Sequence, residues 1–148
     1  MTHFHGRIPG GSFIVGSATD PGVDGSNLAF VTNTIVAVVQ YRLGAVGLFI
    51  HMSMTGFLML DVQLGFLSPN GKTNLAVQDV INAMKFIKTV APFLGGGSHI
   101  TLAGQSSGAT MIRALLATPS ANSLFKSAII HSDPMVYSNL LVASLLLM

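Results

Sequence analysis

Continuous apolar runs and helical periodicity alternate along the chain. The stretch "TIVAVVQY", residues 34–41, is a nearly uninterrupted apolar run rich in Val and Ile, which is typical of a strand buried on both faces. Between residues 77 and 90 the apolar spacing changes to every third or fourth position, which predicts an amphipathic helix with Asn74 as its N-cap. The apolar members of that helix are Val77, Val80, Ile81, Met84, Ile87 and Val90.

The same alternation continues toward the C-terminal end. Residues 99–104 ("HITLAG") predict a second strand, and an apolar stripe over residues 109–116 predicts a second helix that ends near Pro119. Residues 126–132 ("KSAIIHS") predict a third strand. Strands that alternate with helices favour an α/β fold with a mostly parallel sheet and helices on both faces. Active sites in such sheets lie outside the carboxyl ends of the strands.

Composition narrows the class of protein. The 148 residues indicate one domain, yet half of them are apolar and only 8% are charged. Because an ordinary domain carries about 25% charged residues, the chain has the composition of the interior of something larger. A net charge of +2 with scattered Lys and Arg argues against nucleic-acid binding. The absence of cysteine excludes a disulfide framework and a thiolate metal site.

Two apolar segments raise the question of a membrane. Residues 45–60 are mostly apolar but include His51 and Ser53 and stop at Asp61, which is short of the ~20 residues that a spanning helix needs. The terminal "NLLVASLLLM" is shorter still, so we do not expect a spanning segment. The N-terminus lacks the apolar region of a signal peptide, and the localisation stays open.

The stretch "GQSSG", residues 104–108, carries the first candidate chemistry. Ser106 lies between Gly104 and Gly108, after a predicted strand and before a predicted helix. A nucleophile elbow needs this context, because its serine sits on a sharp, strained turn that small neighbours make possible. The turn also aims the N–H of Ser107 at a developing oxyanion. The alternative is an ordinary turn, since a short motif of this kind also occurs by chance.

A second glycine-rich loop, "IPGGSF", occupies residues 8–13. Taken alone it is typical of a surface turn. Together with an elbow downstream, it favours a loop that supplies further backbone N–H donors to the oxyanion.

These stretches resemble the type-B carboxylesterase and lipase family of the α/β-hydrolase fold, in particular its fungal members. The resemblance covers most of residues 8–135 and implies a single partial α/β-hydrolase domain. The matching stretches, in family order, are "IPGGSFIVGSA", "DGSNLA", "VAVVQYRLGA", "LGFLSPNGKTNLAVQDVINAMKFI", "ITLAGQSSGA" and "LFKSAIIHSDPM".

The resemblance implies a carboxylic ester hydrolase whose nucleophile is Ser106. It implies an oxyanion hole made by the N–H groups of Gly11, Ser12 and Ser107, no metal or organic cofactor, and a small-molecule or lipid ester as substrate. Two departures stand out: Pro9 and Ser12 replace the outer positions of the family's glycine loop, and the family's "GES" is "GQS" here.

The catalytic partners that the family gives this serine are missing from this chain. A serine needs a base, and the family supplies His and usually Glu from downstream regions, whereas this chain contains no Glu. His131 as base and Asp133 as acid are the alternative within this chain. The expected geometry argues against them, because neighbouring strands lie ~4.8 Å apart and an elbow lifts its serine away from the sheet. We expect His99 at the opposite edge of the sheet, and His3 and His5 in solvent before the glycine loop. A catalytically inactive fragment is therefore the alternative function.

Two segments depart from the family pattern. Residues 46–63 form an insertion and residues 136–148 a tail. Our hypothesis is a retained intron, because Val46 and Gln63 allow codons with the usual intron ends. A further alternative is a small membrane-associated or interaction protein that uses residues 45–60 and the tail. A truncated sheet also exposes an edge, which favours self-association.

Overall fold

The computed structural model describes residues 2–43 and 75–134. Strands and helices alternate through both ranges, as the sequence pattern predicts. In chain order they are β1 (Thr2–Ile8), α1 (Ser26–Thr32), β2 (Ile35–Val38), α2 (Leu75–Val90), β3 (Gly96–Gln105), α3 (Ser107–Leu116) and β4 (Ser127–His131), with single 3-10 turns at Pro21–Val23, Ala91–Leu94 and Pro119–Ala121.

The four strands form one parallel sheet in the order β2-β1-β3-β4. Its register pairs Arg7 of β1 with Ala103 of β3, and Ala103 with Ile129 of β4. One step nearer the carboxyl edge, Gln105 pairs with His131. The carboxyl ends of β1, β3 and β4 therefore meet at the same edge, and the "GQSSG" turn lies there.

The central strand β1 corrects the expectation for the N-terminus. His3 and His5 were expected in solvent before the glycine loop; both belong to β1, where His3 is exposed and His5 is half-buried. The signal was present as a period of two, because the apolar Phe4 and Ile8, each 2% exposed, alternate with the polar His3, His5 and Arg7. A strand with one polar face does not resemble the continuous apolar runs on which the other strands were recognised.

Helices cover both faces of the sheet, which confirms the predicted arrangement. On one face α2 and α3 pack against the sheet and enclose the core. The packing is close, because a Cβ on Gly6 of β1 would lie 3.6 Å from Sδ of Met84 on α2. Gly25, which precedes α1, packs on the opposite face, where its added Cβ would overlap the side chain of Val36. The fully buried side chains between the sheet and α2 or α3 include Ile81, Met84, Ile100, Leu102, Met111, Ile112 and Leu115.

The predicted elements exist, with shifted ends. The run at 34–41 forms a strand only over Ile35–Val38, and the helix predicted to end near Pro119 ends at Leu116. The strand predicted from residue 99 begins earlier, at Gly96. Asn74, the insertion at 46–63 and the tail at 136–148 lie outside the described residues.

The outer strand β4 is the least covered part of the sheet. Ile129 is 52% exposed and Ile130 is 41% exposed, and only Ala128 of this strand is half-buried. Among the helices of residues 2–43 and 75–134, none is both long and apolar enough to cross a bilayer.

Candidate active site

Ser106 occupies a strained turn between β3 and α3. Its backbone has φ 56° and ψ −126°, a conformation that costs a side-chain-bearing residue about 1–3 kcal/mol. Hydrogen bonds hold it on both sides: its N–H donates to the carbonyl oxygen of His131 at 3.0 Å, and its own carbonyl oxygen accepts from the N–H of Ala109 at 2.9 Å and of Thr110 at 3.1 Å. The turn therefore holds the serine at the carboxyl edge of the sheet.

The two glycines of the turn are required by close backbone packing. A Cβ on Gly104 would lie 2.5 Å from the carbonyl carbon and oxygen of Gly108. A Cβ on Gly108 would lie 2.2 Å from the carbonyl oxygen of Ile8. Since real Cβ atoms do not approach backbone so closely, the start of α3 rests directly on the ends of β3 and β1.

The glycine loop after β1 lies against this turn. A Cβ on Gly10 would be 3.4 Å from Cβ of Ser106 and 2.7 Å from the carbonyl oxygen of Gln105. Gly11 has φ 123°, which favours glycine, and the side chain of Phe13, 3% exposed, anchors the loop in the core. Folding thus brings together the two glycine-rich stretches that the sequence singled out.

Three backbone N–H groups remain without an acceptor at this place. No described residue accepts a hydrogen bond from the N–H of Gly11, Ser12 or Ser107. Ser107 is the first residue of α3, where unpaired N–H groups and the helix dipole create a partial positive charge. Among the described residues, these three N–H groups therefore have unused hydrogen-bonding capacity.

Tyr41 fixes the glycine loop through a hydrogen bond that sequence reasoning missed. Its hydroxyl donates a 2.8 Å hydrogen bond to the carbonyl oxygen of Pro9, and the side chain is 3% exposed. Burial raises the pKa of Tyr41, and the nearby Ser107 hydroxyl opposes that rise. Oγ of Ser107 is itself buried and makes no hydrogen bond with any described residue. The neutral phenol of Tyr41 is therefore the group that fixes Pro9.

Asp133 does not pair with His131. Its Oδ2 accepts a 2.6 Å hydrogen bond from Nε of Arg113, and its Oδ1 accepts from Thr110 at 2.6 Å and from Nη2 of Arg113 at 3.3 Å. Neither Oγ of Ser106 nor the ring of His131 forms a hydrogen bond within the described residues. The structure thus brings Ser106, His131 and Asp133 near one turn, but no hydrogen bond among the described residues links their three side chains.

The environment of Asp133 lowers its pKa. Burial, which leaves the side chain 13% exposed, works in the opposite direction and raises the pKa. The hydrogen bonds from Arg113 and Thr110, with the guanidinium charge, outweigh it and hold the pKa of this carboxyl below its ordinary value. The ionised carboxylate therefore ties the segment after β4 to α3.

Two other histidines lie away from the turn. His3 and His99 form an edge-to-face pair with ring centroids 6.2 Å apart, on β1 and β3. Both lie toward the amino ends of their strands, opposite to Ser106. Within the described parts of the chain, no three side chains of His, Asp or Glu come together as metal ligands.

We expect Tyr41→Phe to lower the free energy of unfolding by about 1–3 kcal/mol, because it leaves the buried carbonyl of Pro9 without its partner. Urea denaturation measures this loss. Thr118→Val is the matched control, since it removes a buried hydroxyl that donates to Ala114 at 2.8 Å, far from the loop. Amide hydrogen exchange at Ile14 and Val15, whose N–H groups donate to the carbonyl oxygen of Gly11 at 3.0 Å, should accelerate in the first variant alone. Equal protection in both would contradict the role given to Tyr41.

We expect Asp133→Asn to cost about 1–3 kcal/mol of stability at neutral pH. Since the folded pKa lies below the unfolded value of about 3.9, the stabilisation is complete above that value and is lost as the pH falls through the folded pKa. The difference between the wild type and the variant should therefore narrow below about pH 4 in urea titrations. Asp79→Asn breaks the more exposed pair with Arg42 and should cost only about 0–1 kcal/mol. A gap for Asp133→Asn that stays constant with pH would contradict the ion pair.

Comparison with known proteins identifies the family whose sequences and structures this chain resembles. The model of the carboxylesterase family matches residues 7–143. Para-nitrobenzyl esterase of Bacillus subtilis (strain 168) is 36% identical over 126 residues, which is 84% of this chain and 23% of that protein. Cocaine esterase of Homo sapiens is 30% identical over 138 residues, 93% of this chain and 22% of that protein.

Solved structures agree with the sequence relatives. A thermophilic PNB esterase superposes with a TM-score of 0.69 at 34% identity, over 88% of this chain and 24% of the other. Juvenile hormone esterase from Manduca sexta, with OTFP covalently attached, superposes with a TM-score of 0.71 at 28% identity, over 89% and 22% of the two chains. The chain thus spans about a quarter of the length of these relatives. Since the match of sequence and fold extends over most of its residues, the chain belongs to the carboxylesterase family.

Proposed function

We propose that Ser106 is the nucleophile of an ester hydrolase that acts by acyl transfer. The observation that carries the proposal is the strained turn at Ser106 with Gly10 of the glycine loop packed against it. A nucleophile elbow stores such strain to hold its hydroxyl exposed above the sheet. Membership of the carboxylesterase family supports ester hydrolysis in general.

In the proposed mechanism, Oγ of Ser106 attacks the ester carbonyl carbon while a base takes its proton. The carbonyl oxygen becomes an oxyanion and accepts hydrogen bonds from the N–H groups of Gly11, Ser12 and Ser107. The C–O bond to the alcohol then breaks, and the alcohol leaves with the proton from the base. Water hydrolyses the acyl-serine by the same route, releasing the acid and restoring the serine. No metal or organic cofactor takes part.

The origin of the base that takes the proton of Ser106 distinguishes an active ester hydrolase from the alternative, an inactive fragment. Asp133 is engaged by Arg113 and Thr110, and His131 has no carboxylate partner among the described residues. The alternative is that the base and its acid belong to regions that the longer relatives contain and this chain does not match, in which case the isolated chain is a catalytically inactive fragment. Within this chain His131 is the candidate base.

The names of the relatives support a small-molecule or lipid ester as the substrate. They are described as acting on a para-nitrobenzyl ester, cocaine and juvenile hormone. Nothing in the charge distribution supports a nucleic-acid partner. The membrane-associated alternative depends on residues 45–60 and 136–148, which lie outside the described residues.

Fluorophosphonate labelling tests the nucleophile. We expect the purified chain to be labelled at Ser106 and the label to be lost in Ser106→Ala. Ser107→Ala is the matched control, because it removes a buried hydroxyl without a hydrogen bond and keeps the backbone N–H. It should retain labelling and full stability. Absence of labelling from wild-type protein that is folded by circular dichroism would favour the inactive fragment instead.

We also propose that the chain self-associates through β4. Ile129 and Ile130 are exposed and lie on β4, an edge strand whose outer side has no neighbour in the described sheet. Such edges pair with other chains. Ile130→Lys should lower the apparent mass in sedimentation velocity at matched concentrations. Phe93→Lys is the control, since it adds the same charge at an apolar position, 87% exposed, away from the edge. A similar mass in both variants would argue against the β4 edge.

A further inference from the structure

A cavity of about 400 Å³ lies beside the candidate active site, on the sheet face opposite to α2 and α3. The register places Ala103 between Arg7 on β1 and Ile129 on β4, so its small side chain forms the floor. Gln105 and His131 stand one step nearer the carboxyl edge. Gln105 and His131 thus lie at the end nearer the carboxyl edge, and Arg7 lies beside the floor, level with the apolar Ala103 and Ile129.

Arg7 gives this cavity a positive charge that is held in place. Its Nη1 donates to the carbonyl oxygens of Val23 at 3.1 Å and Asp24 at 3.3 Å, which leaves Nε and Nη2 without a partner among the described residues. The hydroxyl of Ser26 donates to Oδ1 of Asp24 at 2.6 Å and, with a smaller contribution from the charge of Arg7, lowers the pKa of this carboxyl. No Asp or Glu is among the described residues that line the cavity.

The cavity borders the turn that carries the nucleophile, because Gly104 and Gln105, which directly precede Ser106, line it. Gly10 lines it, and a Cβ on Gly10 would lie 3.4 Å from Cβ of Ser106 and 3.1 Å from Oε1 of Gln105. Arg7 is level with Ala103, three residues before Ser106, which corresponds to about 10 Å along the strand. A substrate that reacts at Ser106 would therefore need to extend about 10 Å toward this cavity to meet the guanidinium.

We propose that this cavity binds a free carboxylate at the far end of the substrate, so that the preferred substrate is a half-ester of a dicarboxylic acid of medium chain length. The inference rests on the proposed function of Ser106. A guanidinium with two free donors recognises a carboxylate through charge-assisted hydrogen bonds. The side-chain amide of Gln105 donates from the opposite side, while Ile129 and Val23 contact the methylene chain. The volume lies within the range of small-ligand sites.

A pair of probes tests the proposal. Both are alkyl fluorophosphonates of the same length, one with a terminal carboxylate and the other with its methyl ester. We expect the carboxylate probe to label Ser106 about tenfold faster, as hydrogen bonds to a charged group allow. Gln105→Glu places a negative charge in the cavity and should remove or reverse this preference. Gln78→Glu, on α2, adds the same charge elsewhere and should leave it unchanged.

The outcomes separate the two proposals. Labelling by both probes at equal rates would overturn the carboxylate site and leave the nucleophile standing. A binding measurement covers the case in which neither probe reacts: suberate is titrated into the Ser106→Ala protein, and the NMR signals of the Arg7 Nε–H and the Gln105 side-chain amide are followed. Saturable shifts that Gln105→Glu abolishes support the site, and the absence of such shifts overturns it. Arg7→Lys, which keeps the charge, should retain part of the preference; Arg7→Met also loses the bonds to Val23 and Asp24 and is therefore a weaker test.

Discussion

Close backbone contact at one turn is the constraint on which the rest of the structure depends. Helix α3 begins at the end of β3, so Gly104 faces Gly108 with no side chain between them, and Gly108 rests on the carbonyl of Ile8. Three elements therefore meet at one point, with Ser106 carried above it in a strained conformation. Burial of α3, whose Met111, Ile112 and Leu115 are at most 1% exposed, offsets that strain.

Two polar side chains keep this turn and its neighbouring loop in place. Tyr41 holds the loop after β1 through the carbonyl of Pro9, and Asp133 holds the segment after β4 against α3 through Arg113. Both bonds join distant parts of the chain and are largely shielded from water, where an unpaired partner is costly. Because Asp133 is engaged in this way, His131 at the end of β4 has no carboxylate partner among the described residues.

The chain combines few charged residues with much exposed apolar surface. Phe30 is 88% exposed and Phe93 87% exposed, and no strand of the described sheet pairs with the outer side of β4. Parallel strands ordinarily need cover on both faces, and this chain spans about a quarter of the length of its relatives. Arg7 is an exception among these apolar surfaces, because the fold holds its charge against the floor of a cavity that has no carboxylate among its described lining residues.

The sequence by itself determined the α/β alternation, the helical stripe of α2 and the context of Ser106. Each of these depends on residues within one or two turns of each other, so local periodicity and turn chemistry were sufficient. Only the tertiary structure decided that β1 lies at the centre of the sheet, that Tyr41 reaches Pro9 and that Asp133 turns to Arg113. Those contacts depend on strand register between distant segments, and neither a half-polar strand nor a lone tyrosine carries a local signal of its partner. The ends of β2 and α3 shifted for the same reason, since tertiary pairing and not propensity sets where an element stops.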